Sequence, residues 1–273
     1  MFLLGSAYPM GKFGLIASSK PILFGAMRMG ILFLCLAPFC NLKIPPKKYF
    51  LPLFGFSICM GAGVNMFLYL SIDAASILAP ITIGAQLSIP FAIIISSLFL
   101  RESISFKKWI LIFTSFLGII LIVFDPKISE EIFAIILVFA MAFFYGLSQV
   151  FSRYLRELDV KFTSAFMGFV GFIVLITISQ LTEGNVINQI KNIDRNGWVA
   201  IFYAGMIISI FGHMMMFYLY KFYSVGMVLP FYALFPVFGL LLTFLIFGEI
   251  PTLIMVTGGI IVITSVFLLN KTR

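Results

Sequence analysis

Ten apolar runs, separated by short polar or glycine- and proline-bearing stretches, account for nearly all of the chain. The first five cover Met1 to Ala17, Pro21 to Cys40, Tyr49 to Leu70, Ser76 to Leu100 and Trp109 to Phe124. The second five cover Glu131 to Phe151, Thr163 to Leu181, Trp198 to Tyr220, Val225 to Phe247 and Pro251 to Asn270. A helix crossing the hydrocarbon core needs about 20 such residues. The runs are continuous and lack the period-two alternation of a membrane barrel, which leaves helices as the spanning structure that satisfies every backbone group in lipid. The pattern predicts an all-α membrane protein with ten transmembrane helices.

One pattern occurs twice along these runs. Tyr69 to Ser76 leads through Ala79 and Pro80 into an apolar run carrying Pro90 and closes at Arg101 and Glu102. Tyr218 to Val225 leads through Leu229 and Pro230 into a run carrying Pro236 and closes at Gly248 and Glu249. The spacing from the second proline to the glutamate is 12 residues in one copy and 13 in the other. Five helices per copy put the second upside down in the bilayer, as in many alternating-access transporters. The expected division is residues 1–129 and 130–273 as two inverted five-helix repeats.

Composition agrees with that division. Apolar residues make up 62% of the 273 residues and charged ones 10%, with a mean hydropathy of +1.15, against a charged share of about a quarter in soluble domains. No room is left for an extramembrane domain. The net charge of +8 follows the membrane topology. With the amino terminus in the cytoplasm, twelve basic residues (Lys43, Lys47, Lys48, Arg101, Lys107, Lys108, Arg153, Arg156, Lys161, Lys221, Lys271, Arg273) fall inside. Five (Lys12, Lys20, Lys127, Lys191, Arg195) fall outside, which obeys the positive-inside rule and places both termini in the cytoplasm. Nucleic acid is accordingly not an expected partner. Membrane lipid and a small-molecule substrate are, and a homodimer is compatible with the pattern. Abundant Phe and Ile, with 12 Lys against 6 Arg, point to an AT-rich bacterial genome and so to the bacterial inner membrane. Met1 to Leu4 lacks the basic lead of a secretory signal, so the first run is expected to stay as an uncleaved helix. Cys35, Cys40 and Cys59 have neither CxxC spacing nor accompanying histidines and read as small packing residues.

Several features together resemble the drug/metabolite transporter superfamily in its ten-helix EamA-type branch. They are the five-helix halves, the Gly5-Ser6-Ala7-Tyr8-Pro9 segment in the first helix, Arg28 seven residues into the second, and the Pro90 to Glu102 and Pro236 to Glu249 segments. The first half departs in part. Glu249 is followed after nine and ten residues by Gly258 and Gly259, whereas Glu102 has Leu111 and Ile112 there and reaches Gly118 after sixteen. The resemblance implies movement of a small metabolite, such as an amino acid or S-adenosylmethionine, through a central cavity between the halves. It further implies that the fourth helix of each half lines that cavity while the fifth helices scaffold.

Polar groups in hydrocarbon are costly, so each buried one is a candidate site. Asn65 and His213 lie at nearly equivalent repeat positions, because subtracting the 149-residue offset from 213 gives 64. Both bind substrate on one reading and pack against a neighbouring helix on the other. Gln86, ten residues into the fourth run beside Gly84, lies near half depth at about 1.5 Å per residue in a core of roughly 30 Å. With Tyr232 in the ninth run it is expected to line the cavity, because the prolines free backbone carbonyls there. Arg28 either snorkels outward or pairs with an anionic substrate group. Tyr8, Tyr69, Tyr145 and Tyr218 can stack on a ring or hold a cation, and Tyr8 and Tyr145 join the binding candidates.

Pro80, Pro90, Pro230 and Pro236 are candidate hinges, and Glu102 and Glu249, at helix ends, read as capping or gating residues. His213 is the candidate proton carrier, given an unperturbed pKa of about 6.5. No cofactor or metal is expected: GxxxxGK[ST], HExxH and GxSxG are all missing from the sequence. A flippase for a lipid or polyprenyl phosphate, with Arg28 and Lys12 at a lateral opening, is the alternative. A membrane enzyme is disfavoured, since no acid-base pair shares one depth.

Overall fold

The computed structural model describes residues 1–17, 19–40, 45–100, 103–128, 131–215 and 234–271. The candidates Glu102, Pro230 and Tyr232 and the side chain of His213 lie outside the described residues, as does the segment from Tyr218 to Val225. No strand occurs among the described residues. The first run forms α1 (Phe2–Gly5) and α2 (Ala7–Ile16), and the second forms α3 (Pro21–Leu36). The third is α4 (Phe50–Phe56), a π-helix over Ser57–Gly63, and α5 (Val64–Ala74). The fourth is α6 (Ala79–Gly84), a 3₁₀ turn over Ala85–Leu87, and α7 (Ser88–Leu100). Then come α8 (Phe106–Val123), α9 (Ile132–Tyr154), α10 (Val160–Thr182), the short α11 (Val186–Asn192) and α12 (Arg195–Phe202). A second π-helix over Tyr203–Met214 continues α12, and α13 (Phe235–Phe247) and α14 (Leu253–Lys271) close the described chain. Among the described residues, seven helical stretches are long and apolar enough to cross a membrane, and α13 is a shorter apolar helix.

The breaks have local causes. Pro80 and Pro236 stand in the first turn of α6 and α13, where a missing N–H leaves nothing unpaired. Pro90 falls two residues after the 3₁₀ turn that divides the fourth run; lacking an N–H, it cannot bond the carbonyl of Gln86 four residues back. Ser6 interrupts the first run: its hydroxyl donates to the carbonyl of Leu3 (2.8 Å) and lies 3.0 Å from the hydroxyl of Tyr203. Since the serine proton is spent on Leu3, Tyr203 donates, which ties the first helix to the second π-helix.

Hydrophobicity alone does not drive helices together in lipid, so close backbone approach at small residues matters. A Cβ on Gly171 of α10 would stand 2.9 Å from the backbone of Gly61 in the first π-helix. On the other side of the bundle, a Cβ on Gly118 of α8 would meet the Gly258 carbonyl of α14 at 2.9 Å. Those two helices are the fifth and tenth of the predicted order. A core of Leu23, Phe24, Leu32, Tyr69, Leu78 and their neighbours fills the centre, while Phe113, Leu117, Ile120, Leu121, Ile260 and Leu268 on α8 and α14 stay exposed, as lipid-facing residues do.

Candidate functional site

The two π-helices place the polar groups of the interior. A π turn misdirects backbone carbonyls relative to an α-helix, and such turns recur at functional sites. In the first, the Asn65 amide nitrogen donates to the carbonyls of Met60 and Gly61, both at 3.0 Å. In the second, the Ser209 hydroxyl donates to the Ala204 carbonyl at 2.9 Å. Subtracting the 149-residue offset puts residues 206–212 of the second π-helix on 57–63, the whole of the first.

Arg28 of α3 lies between them. Its Nε donates to Ser209 Oγ (3.2 Å) and its Nη1 to the Tyr69 hydroxyl (3.0 Å). The residue is only 5% exposed. Ion pairs among the described residues join Lys12 to Glu249 and Lys48 to Glu157; Arg28 has no carboxylate. A guanidinium carries five N–H donors, and these two contacts use two of them. Asn65, 4% exposed, has an Oδ1 with no hydrogen-bond partner among the described residues. An unpaired buried acceptor costs about 1–3 kcal/mol, so the site holds an excess of donors on Arg28 and a spare acceptor on Asn65.

Two cavities meet at this pair. The larger, about 60 Å³, runs from Tyr8 of α2 past Val64 and Asn65 to Ser88, Met141, Tyr145 and Phe235. The smaller, about 30 Å³, extends toward Phe56, Ser164, Met167 and Ser209. Arg28, Met60 and Asn65 border both. Tyr8 and Phe235 stack across the larger one with ring planes 3° apart and centroids at 6.0 Å. Methionines Met29, Met60, Met141 and Met167 supply much of the remaining wall, and their flexible thioethers accommodate varied apolar shapes.

Of the sequence candidates, Arg28, Asn65, Tyr8 and Tyr145 come together at this site. Gln86 does not: it is fully buried, and its neighbours Ala85 and Ser88, not Gln86 itself, border the larger cavity. Its repeat counterpart Phe235 does line it. Ser88, Ser209 and Met60 were not singled out by sequence, since hydroxyl and thioether side chains are too common in apolar helices to stand out; Tyr69, named there only as a ring to stack on or to hold a cation, here accepts from Arg28 through its hydroxyl. Glu249 accepts from Lys12 (2.6 Å) and from the backbone N–H of Leu78 (2.9 Å) at the entry of α6. The contact is made at the start of α6, 171 residues away in sequence, and not at the turn between the helices on either side of Glu249.

The structure thus defines a multi-pass helical membrane protein with a largely apolar pocket between its helices that carries Arg28 and Asn65. The chain belongs to the EamA-like transporter family, whose model matches residues 1–124 and 132–271. It is similar to an uncharacterized transporter, YdfC, of Bacillus subtilis (strain 168), at 25% identity over 185 residues, 64% of this chain. That alignment spans 57% of the relative's own length. A crystal structure of a protein with 16% identity superposes with a TM-score of 0.61, covering 97% of this chain and 94% of its own, a likeness of fold alone.

Proposed function

We propose that the chain is a secondary transporter of a small polar metabolite bearing an anionic group, bound between the two halves and released by alternating access. The observation that carries this reading is Arg28, buried at the wall of both cavities with hydroxyls as its partners and no carboxylate among the described residues. An unpaired buried charge is costly unless an opposite charge joins it, and a substrate carboxylate or phosphate takes a guanidinium in a bidentate fork. The spare Asn65 acceptor suits an N–H donor on the same substrate, and the aromatic and methionine walls suit an apolar remainder. Amino acids and S-adenosylmethionine combine these features.

Ten helices in two inverted five-helix halves, with both termini on the cytoplasmic side of a bacterial inner membrane, are part of this proposal. The equivalent positions of the two π-helices and the two stretches matched by one family model support it. In the flippase alternative Lys12 and Arg28 flank a lateral opening, but Lys12 is already paired with Glu249. Uptake of radiolabelled amino acids and S-adenosylmethionine into proteoliposomes, run beside a lipid-scrambling assay on the same vesicles, tests the reading. We expect uptake that drops at least about tenfold, the worth of roughly 1.4 kcal/mol, in Arg28→Gln and falls further in Arg28→Gln/Asn65→Ala. Scrambling without uptake favours the flippase, and uptake indifferent to both substitutions removes the site.

A further inference from the structure

We infer that Arg28 makes this transporter an exchanger: the loaded bundle reorients faster than the empty one, so a substrate molecule is carried efficiently in one direction when another waits to be carried back. This rests on the proposed transport of an anion-bearing substrate through the Arg28 site and concerns its mode.

Arg28, with Asn65 and Met60, borders both cavities. A substrate held in either one lies beside residues of the Arg28 site. Alternating access requires a stage in which both entrances are shut. With an entrance open, water can reach the cavity and solvate the three N–H donors that Ser209 and Tyr69 leave over. With both shut and no substrate present, those three donors and the Asn65 Oδ1 face an interior walled mainly by apolar side chains such as Leu4, Val64, Leu68, Met60 and Phe235, with Tyr8, Tyr145 and Ser88 as its hydroxyl-bearing residues and no described anion. None of the described residues bordering either cavity carries a negative charge. Desolvating a cation without a counter-ion costs far more than desolvating it in an ion pair, so the charge penalises the empty closed stage. A bound carboxylate removes much of that penalty by taking two donors at once, and an N–H beside it meets Asn65. The barrier to reorientation is therefore lower with cargo aboard.

The hydroxyl partners sharpen the argument. Ser209 and Tyr69 provide the described polar contacts that the guanidinium keeps when no substrate is bound. Removing either raises the cost of the empty closed stage more than that of the loaded one. Ser209→Ala and Tyr69→Phe should then widen the gap between exchange and net transport, whereas Arg28→Gln should close it.

The test uses purified protein in liposomes and radiolabelled L-leucine, L-phenylalanine, L-methionine and S-adenosylmethionine as probes. Initial uptake is compared between empty vesicles and vesicles preloaded with the same unlabelled compound at millimolar concentration. The expected result is uptake about tenfold or more faster into preloaded vesicles for the wild type, a ratio near one for Arg28→Gln, a ratio well above one for Arg28→Lys, and a larger ratio for Ser209→Ala. Equal rates into empty and preloaded vesicles by the wild type overturn the inference while leaving the transport reading intact. No uptake of any probe under either loading counts against the transport reading itself, and the inference falls with it. The wild-type ratio decides even where Arg28→Gln does not fold. A preloading ratio unchanged by Arg28→Gln also overturns the inference, because the preference for exchange then has another source.

Discussion

The two ends of the helix bundle are held in different ways. At the end where α2 finishes and α3 begins, contacts reach far across the chain. Glu249 takes Lys12 and the Leu78 N–H, Glu183 takes the N–H groups of Ile22 and Leu23 at 2.7 and 2.9 Å, and Glu131 takes the Ser76 N–H at 3.1 Å. Asp125, 2% exposed, accepts from the Thr252 hydroxyl and from the Lys127 N–H. At the opposite end the described polar contacts are mostly local. Ser105 caps α8 at Lys108, and Asp159 caps α10 at Lys161. Glu157 reaches further there: it accepts from the Tyr49 hydroxyl and lies 3.8 Å from Lys48. Exposure separates the two ion pairs: 17% and 15% for Lys12 and Glu249 against 68% and 77% for Lys48 and Glu157. A shielded pair keeps more of its Coulomb energy than a solvated one. Among the described residues, then, the Lys12 end is stitched by contacts between segments distant in sequence and the Tyr49 end is the cheaper one to open.

The Lys12–Glu249 pair offers the largest test of that contrast. Breaking a fully buried pair from one side costs roughly 3–5 kcal/mol, and residual exposure lowers this to about 2 kcal/mol. Glu249→Gln or Lys12→Met should therefore lower the melting temperature in detergent by several degrees. The charge-swapped Lys12→Glu/Glu249→Lys chain should recover part of the loss. A swap no better than the singles means that the pair is not what holds this end.

Asp125 comes next. Thr252→Val strips a buried carboxylate of its hydroxyl donor and leaves it the Lys127 N–H, at a cost of about 1–2 kcal/mol. Glu183→Ala is smaller, about 1 kcal/mol, the usual worth of a helix cap. It leaves two N–H groups in the first turn of α3 without their acceptor. Thermal unfolding of each variant checks the order. If Thr252→Val and Glu183→Ala both leave the melting temperature unchanged, the long-range contacts at this end are incidental.

How far the site could be read ahead of the structure depended on how rare each residue type is in an apolar helix. Arg28 and Asn65 stand out because their burial is expensive, and both border the cavities. Gln86 stood out for the same reason, yet the 3₁₀ turn before Pro90 sets its side chain among packed neighbours, so depth alone was an unsafe guide. Neither π-helix left a sequence signal, since Ser57–Gly63 and Tyr203–Met214 are built almost wholly of small and apolar residues that an α-helix in lipid carries equally well. Ser209 was invisible for that reason: only its place in a π turn brings it to Arg28. Glu249 was legible as a helix-end residue, but its partners Lys12 and Leu78 lie 237 and 171 residues away, and no local pattern predicts a contact of that span.

The smallest effect belongs to Glu157, and it tests the weak side of the comparison. The Tyr49 hydroxyl, and after it the Lys48 charge, hold its carboxyl below the ordinary carboxylate value. A carboxyl lowered in the folded state adds stability above its unfolded pKa and loses it as pH falls through the folded value. The contribution is thus constant across neutral pH and disappears only on the acid side of about pH 4. Glu157 is solvent-exposed, so screening leaves it little weight. Glu157→Gln should match the wild type in melting temperature at pH 7 within about 1 °C, and the two should converge as the pH falls below about 4. A drop at pH 7 as large as that of Glu249→Gln would show the Tyr49 end to be latched as firmly as the other, and the asymmetry between the ends would be gone.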